Sequence, residues 1–112
     1  MKKKIAIPVS QGMLDAHFGH CKHFAIFDMD GKEIVNETLI DAPPHEPGLL
    51  PGFLAGHGVT DIIAGGMGHR AITLFHESGV NVFVGAPQLS AQHVVKGFVN
   101  NTIQFTANYC DH

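Results

Sequence analysis

Several residue types that mark common protein classes are scarce in this sequence. It has no tryptophan, one tyrosine and two cysteines in 112 residues, and seven Lys and Arg stand against ten Asp and Glu. The formal charge of −3, with no basic cluster beyond Lys2-Lys3-Lys4, argues against nucleic acid as a partner. Two cysteines without an export signal are better interpreted as thiols than as a disulfide.

Long hydrophobic runs are also missing. The first apolar stretch, Ile5-Ala6-Ile7-Pro8-Val9, is too short for a membrane span or a secretory signal, so we expect a cytoplasmic protein with no membrane partner. The length suits one domain with its own core. We assign this domain to residues 1–100. The apolar pattern fades after it, and residues 101–112 are expected to form a loosely held C-terminal tail.

The chain does contain alternating strand and helix patterns, which indicate the α/β class. Five strands are predicted at residues 5–9, 24–29, 33–39, 61–64 and 80–84. Asp30-Gly31 predicts a hairpin between the second and third strands. Apolar positions at helical spacing predict three helices: one around residues 49–54, one over residues 69–78, and one that follows Ser90 as its N-cap.

The order of these elements brings four loops to one place. If all strands share a sheet, the hairpin and the two helical crossovers make the first, third, fourth and fifth strands parallel. Each loop that follows one of them then lies at the carboxyl edge of the sheet, where open α/β sheets bind ligands. These loops are residues 10–23, 41–47, 65–68 and 85–89.

The first loop is dense in side chains that bind metals. His17-Phe18-Gly19-His20-Cys21-Lys22-His23 holds three imidazoles and one thiol, and His45 belongs to the second loop. Imidazole and thiolate suit transition metals and metal–sulfur clusters. The alternative is a polar surface loop that happens to hold histidines, which nine histidines in the chain make easier.

The third loop is rich in glycine. Gly65-Gly66-Met67-Gly68 precedes a predicted helix with Arg70 one step inside it, which favours an anion site formed by free amides. The run lacks the ending of a P-loop, and a tight turn that needs small residues is an equally good interpretation. Met67 would line the site as an apolar side chain or contact a soft metal through its thioether.

Two segments resemble a known family. The first is His17-Phe18-Gly19-His20-Cys21 with the following Phe24-Ala25-Ile26-Phe27-Asp28, and the second is Ile63-Ala64-Gly65-Gly66-Met67-Gly68-His69-Arg70-Ala71. Together they resemble the dinitrogenase iron–molybdenum cofactor biosynthesis domain, over about residues 3–99. That family includes NifX, NafY, the carboxyl-terminal domain of NifB and the orange protein of sulfate reducers, which carries a molybdenum–copper sulfide cluster.

The resemblance implies a ribonuclease H-like three-layer sandwich. Its five-stranded mixed sheet would have the order 3-2-1-4-5, with strand 2 antiparallel and about three helices. It also implies non-catalytic binding and delivery of metal–sulfur clusters. No acidic set suited to two metal ions stands on the strands, so nuclease activity is not expected.

We therefore expect a carrier or scaffold, and no enzyme, for an anionic cluster of the iron–sulfur, iron–molybdenum or molybdenum–copper sulfide type. The backbone of Gly65, Gly66 and Gly68, together with Arg70, would hold it electrostatically, while Phe18, Met67 and Leu89 exclude water. Direct ligands would come from His17, His20, Cys21 and His45. Expected partners are cofactor-assembly or acceptor proteins, an ATPase among them, and the chain itself would be a monomer or weak dimer.

Two alternatives remain at this stage. One is a site for a single zinc, copper or iron ion formed by His17, His20 and Cys21, with His23 or His45 completing the shell. The other is a metal-free module whose loops bind a protein. An activated Cys21 thiol beside His20 and His23 is the least favoured reading, because nothing in the sequence supplies an oxyanion site.

Overall fold

The computed structural model describes residues 2–15, 21–43 and 48–109. Its strands are β1 (Lys2–Ser10), β2 (Met13–Leu14), β3 (His23–Asp30), β4 (Glu33–Asp41), β5 (Asp61–Ile63), β6 (Asn81–Val84) and β7 (Ala107–Tyr109). Its helices are α1 (Leu49–Gly56), α2 (His69–Glu77) and α3 (Ala91–Val99). All five predicted strands and all three predicted helices are present, with bounds that differ by a few residues.

The strands form one mixed sheet with the order β4-β3-β1-β5-β6-β7. β3 is antiparallel to both β1 and β4, whereas β5 is parallel to β1 and β6 is parallel to β5. The predicted strand order and the antiparallel second strand are therefore confirmed. The hairpin turn is Gly31-Lys32, one residue later than predicted, because Asp30 already pairs with Glu33.

The sheet is covered on both faces because its central strands are apolar on both faces. Along β1, Ile5, Ile7 and Val9 pack into the cluster beneath α3, and Ala6 packs into the cluster beneath α1 and α2. Helix α3 contributes Val94 and Val95 to the first cluster, while Leu54 of α1 and Phe75 of α2 belong to the second. The result is the predicted three-layer sandwich.

Pro8 lies where β1 changes neighbours. β1 pairs with β5 only through Ile5 and Ala6, and it pairs with the short β2 through Val9 and Ser10. A proline cannot donate a ladder hydrogen bond, so the strand tolerates it best at such a change of partner. β2 itself was not predicted, because two residues give no periodic signal.

The expectation of a loosely held tail is wrong for residues 103–109. β7 pairs antiparallel with β6, from Val84 opposite Ala107 to Val82 opposite Tyr109. Phe105 packs its ring on those of Phe83 and Phe98, with centroids 5.4 and 6.0 Å away. The last three residues of the predicted tail, 110–112, lie outside the described residues.

One carboxylate is fully buried at the amino edge of the sheet. Asp61, the first residue of β5, is 0% exposed. It accepts hydrogen bonds from the Thr60 hydroxyl at 2.8 Å and the Asn81 amide at 2.9 Å, and the Lys3 ammonium lies 4.0 Å from it. These partners compensate for the desolvation of the carboxylate, so the group is explained by structure alone.

Among the described residues, no helix is long and apolar enough to cross a membrane.

We predict that Gly85→Ala destabilises the fold by more than about 2 kcal/mol, because it combines two costs. Gly85 has φ of 85°, and an added Cβ would collide with the Thr106 side chain that closes β7 onto β6. Gly79→Ala is the matched control, since Gly79 has φ of 81° with open space above it and should lose only about 1 kcal/mol. Urea unfolding measures both, and equal losses would contradict the proposed contact with Thr106.

Candidate functional site at the carboxyl edge of the sheet

The four predicted loops meet at one edge of the sheet. We call this edge the rim and define it by its described residues, which are 11–15, 21–22, 42–43, 48, 65–68 and 85–89. β1, β4, β5 and β6 all point toward the rim, and β3 begins there because it runs the other way. Backbone hydrogen bonds fasten the loops to one another. They are Gly85 N–H to Gly65 O at 3.0 Å, Ala86 N–H to Ala64 O at 3.2 Å, Leu14 N–H to Leu89 O at 2.9 Å, Ala91 N–H to Gly12 O at 3.1 Å and Ala42 N–H to Lys22 O at 2.8 Å.

Part of the predicted site can be placed on this rim. Cys21, Gly65, Gly66, Met67, Gly68 and Arg70 are described and belong to the rim or to the first turn of α2. His17, Phe18, Gly19, His20 and His45 lie outside the described residues.

Cys21 and Met67 lie on the same side of the sheet. Both are partly buried and pack against the cluster beneath α1 and α2. Cys21 immediately precedes the start of β3, whereas Met67 follows β5, and β1 runs between these two strands. Because adjacent strands are about 4.8 Å apart, the two sulfur-bearing residues start from strands about 10 Å apart across the end of β1. The sheet therefore brings a thiol and a thioether to one side of the rim.

The environment of Cys21 keeps its thiol protonated. Burial, and to a smaller extent the nearby negative charge of Asp15, together raise the pKa of Cys21 to about 11. Sequence reasoning did not single out Asp15, although it lies in the same loop as the cysteine. A neutral thiol is a poor nucleophile, so the environment argues against the activated-thiol reading.

His23 is held on the other face. It is the first residue of β3 and lies opposite Val9, which packs into the cluster beneath α3. Its Nε2 is 3.3 Å from a carboxylate oxygen of Asp41, the residue that it faces on β4. Alternation along β3 puts His23 on the α3 face together with Ala25, whereas Cys21 precedes the strand and packs under α1 and α2. The structure therefore does not bring His23 beside Cys21.

Gly66 and Gly68 have no structural need to be glycine. Neither has a positive φ, and a Cβ built on either one meets no atom of the described residues within 4 Å. Gly85 on the neighbouring loop is the opposite case, because its φ is 85° and Thr106 fills the space above it. The described residues therefore do not require a small residue at 66 or 68, which argues against the tight-turn interpretation at these two positions, and none of them blocks the approach of a ligand to the backbone there.

The amino end of α2 is uncapped and lies next to this open backbone. Its N-cap is Gly68, which has no side chain to accept a hydrogen bond from the first turn, and that turn holds no acidic residue. The first intrahelical hydrogen bond runs from Ile72 N–H to Gly68 O, so the amides of the three preceding residues point out of the helix. Arg70 adds an exposed cation, and within the described ranges no carboxylate forms an ion pair with it. This end of the rim is suited to negative charge.

The described part of the rim thus offers amides, a guanidinium group, a thiol and a thioether. No three His, Cys, Asp or Glu side chains among residues 2–15, 21–43 and 48–109 are grouped closely enough to hold a metal ion. A cleft of about 480 Å³ lies elsewhere, at the amino edge. The Lys4 ammonium in that cleft is already occupied by Asp28 at 3.6 Å and the His57 carbonyl at 3.2 Å. Among the described residues, the groups named above as candidates for binding a ligand all belong to the rim or to the first turn of α2.

We predict that alkylation of Cys21 by iodoacetamide is slow at neutral pH and accelerates about tenfold per pH unit until pH 11, because only the thiolate reacts. A Cys110→Ser background leaves Cys21 as the only thiol, and mass spectrometry gives the rate. Asp15→Asn removes a charge that opposes ionisation and should make alkylation faster at pH 8. A rate that levels off near pH 9 would contradict the buried environment.

The raised pKa also means that Cys21 stabilises the fold below pH 9 and that this contribution is lost as the pH rises through 11.

Comparisons with known proteins agree with this architecture. The chain is 30% identical over 106 residues to the protein MJ0580 of Methanocaldococcus jannaschii, covering 90% of this chain and 89% of the relative. The crystal structure of PH0822 superimposes with a TM-score of 0.85 at 28% identity, over 92% of this chain and 94% of the other. The apo orange protein of Desulfovibrio gigas shares the fold, with a TM-score of 0.77 at 20% identity over 94% and 93% of the two chains.

The family comparison covers nearly the whole described fold. The sequence model of the dinitrogenase iron–molybdenum cofactor family matches residues 1–101, which include every element from β1 to α3 and therefore the whole rim. The resemblance of the two motifs is confirmed, and this chain belongs to the dinitrogenase iron–molybdenum cofactor family.

Proposed function

We propose that the protein is a non-catalytic carrier or scaffold that binds an anionic metal–sulfur cluster at the rim, on the side covered by α1 and α2. The observation that carries this proposal is the open backbone at Gly66 and Gly68, next to an uncapped helix end. Membership of the family supports cluster handling, as does the fold shared with the orange protein. The cargo class is an iron–sulfur, iron–molybdenum or molybdenum–copper sulfide cluster.

The part of the rim that leads into the first turn of α2, residues 65–71, is called the amide end here. It would supply most of the attraction for the cargo. A sulfide-rich cluster carries negative charge on large, polarisable sulfur atoms. Amide hydrogens of residues 66–71 and the Arg70 guanidinium can donate hydrogen bonds to such sulfurs. The helix end adds a partial positive charge that costs no reorganisation, because the backbone is already fixed. Gly66 and Gly68 allow a bulky cargo to reach these amides.

The part of the rim around Cys21 would supply weaker contacts, which depend on whether the thiol is protonated. Cys21 can donate from its neutral thiol to a sulfide, or bind a metal atom of the cargo after losing its proton. Asp15 opposes the ionised form, so metal binding by Cys21 should release a proton and strengthen as the pH rises. Incomplete ligation of this kind suits a carrier, which has to release its cargo.

We predict that Gly66→Val weakens cargo binding at least about tenfold, equivalent to about 1.4 kcal/mol, while changing the free energy of unfolding by less than about 0.5 kcal/mol. The valine Cβ would enter the space beside the amides, where no atom of the described residues lies within 4 Å of it. Ser78→Val is the matched control, because it adds similar bulk at the exposed far end of α2. Binding is measured by absorbance titration of anaerobic protein with tetrathiomolybdate plus copper, or with an iron–sulfur precursor.

Three results would contradict the proposal in different ways. Equal binding by both variants and wild type would show that the glycine backbone is not the site. Uptake of one divalent ion without acid-labile sulfide would indicate a single-ion protein. No uptake of any cargo under either condition would leave a metal-free binding module as the function of the rim.

We also predict that Arg70→Gln weakens cargo binding and reduces its sensitivity to salt, because it removes an exposed cation from the amide end. Arg70→Lys keeps the charge and should retain most of the affinity. The affinities are compared at low and at moderate ionic strength. If Arg70→Gln leaves both the affinity and its salt dependence unchanged, electrostatic attraction at this end is not what holds the cargo.

A further inference from the structure

The outer edge of β4 is a long strand edge with no strand partner in the part of the chain that the structure describes. β4 has nine residues and pairs only with β3, and no other strand in the described ranges pairs with it. It contains neither proline nor lysine, the residues that most often protect an exposed edge. Its outward amides and carbonyls can therefore form hydrogen bonds with an added strand.

The side chains of this edge have a specific pattern. Glu37, Leu39 and Asp41 lie opposite Phe27, Ala25 and His23, so all three are on the α3 face of the sheet. Leu39 is 63% exposed, which leaves an unburied aliphatic side chain between two carboxylates. Glu37 accepts a hydrogen bond from the neutral Gln92 amide at 2.9 Å, so its charge is not cancelled there.

The charges on this edge disfavour a second copy of the same chain. Full-length antiparallel pairing of β4 with itself would place Glu37 opposite Glu37 and Glu33 opposite Asp41. Like charges directly opposite each other destabilise a strand pair. A shifted register would separate the acidic side chains of the two copies, but it would leave residues at the ends of both strands unpaired. The same carboxylates favour a strand that carries basic residues.

The position of the edge connects it to the rim. The carboxyl end of β4 reaches the rim at Asp41, and Ala42 is hydrogen-bonded there to Lys22, next to Cys21. A segment bound along β4 would place its own chain beside the candidate site.

We propose that the outer edge of β4 binds an extended segment of a partner protein in which a basic residue stands two positions on either side of an aliphatic one. The segment adds a strand to the sheet, packs its aliphatic side chain on Leu39 and pairs its cations with Glu37 and Asp41. This surface goes beyond the proposed function and does not require bound cargo.

The test uses cargo-free, ¹⁵N-labelled protein and two synthetic peptides, Thr-Lys-Thr-Val-Thr-Lys-Thr and its charge-reversed form with Glu in place of Lys. The basic peptide should shift the amide resonances of residues 33–41 in a salt-sensitive titration, and the acidic peptide should not. The double variant Glu37→Lys with Leu39→Lys should weaken binding of the basic peptide about tenfold or more, because it replaces one attractive pair and one apolar pair. The matched control is Glu77→Lys with Ser78→Lys, which makes the same change in net charge at the exposed carboxyl end of α2.

Thermal unfolding checks that the variants fold, which is the expected result because the Glu37 and Leu39 side chains are exposed. Equal binding of the two peptides, or amide shifts concentrated outside β4, would overturn the proposal. Dimerisation through β4, detected by analytical ultracentrifugation together with concentration-dependent shifts in residues 33–41, would also overturn it in favour of a second copy. None of these results bears on cargo binding, so the two proposals fail separately.

Discussion

The candidate site depends on one geometric constraint: strands that run parallel end at the same edge of a sheet. Here β1, β4, β5 and β6 deliver their loops to one rim, although the loops are far apart in the chain. The backbone hydrogen bonds between Gly65 and Gly85 and between Leu14 and Leu89 then fix the loops to one another. The rim is therefore positioned by the core itself, whose two apolar clusters hold the strands in register.

Glycines on this rim serve two different purposes. Gly85 is required by the fold, since its backbone conformation and the contact with Thr106 both exclude a side chain. Gly97 in α3 is similar, because Ile103 occupies the place of its Cβ. Gly66 and Gly68 lack a positive φ, and no described atom lies within 4 Å of an added Cβ, so the described part of the fold gives no reason for their identity. A functional reason, access to the amides at the start of α2, is consistent with this contrast.

Much of the fold could be predicted from the sequence because its signals are local. Apolar runs marked the central strands, and the spacing in α2 and α3 marked their buried faces, including Ser90, whose hydroxyl accepts a hydrogen bond from His93 N–H. β7 was missed because the three residues Ala107–Tyr109 have no periodicity of their own. Their pairing depends on Phe105 and Thr106 meeting β6 and α3, which is a contact between distant parts of the chain.

The candidate site was less predictable than the fold. The convergence of loops follows from topology, and Cys21, Met67 and the glycines are indeed on one rim. In the single-ion alternative, His23 or His45 would complete a shell with His17, His20 and Cys21. His23, however, is part of β3 and lies on the α3 face beside Asp41 of β4, whereas Cys21 packs under α1 and α2. The effect of Asp15 on Cys21 was also invisible in the sequence, because it depends on how close the two residues lie in space.

The most direct test of the central claim is to map the amides that respond to cargo. Uniformly ¹⁵N-labelled protein is titrated anaerobically with tetrathiomolybdate and copper, and chemical-shift changes are followed along the chain. We predict that the largest changes occur at residues 21–22 and 65–71, and that Gly31, Gly58 and Gly79 at the opposite edge do not respond. Changes concentrated at the opposite edge, or spread evenly over the sheet, would contradict the rim as the cargo site.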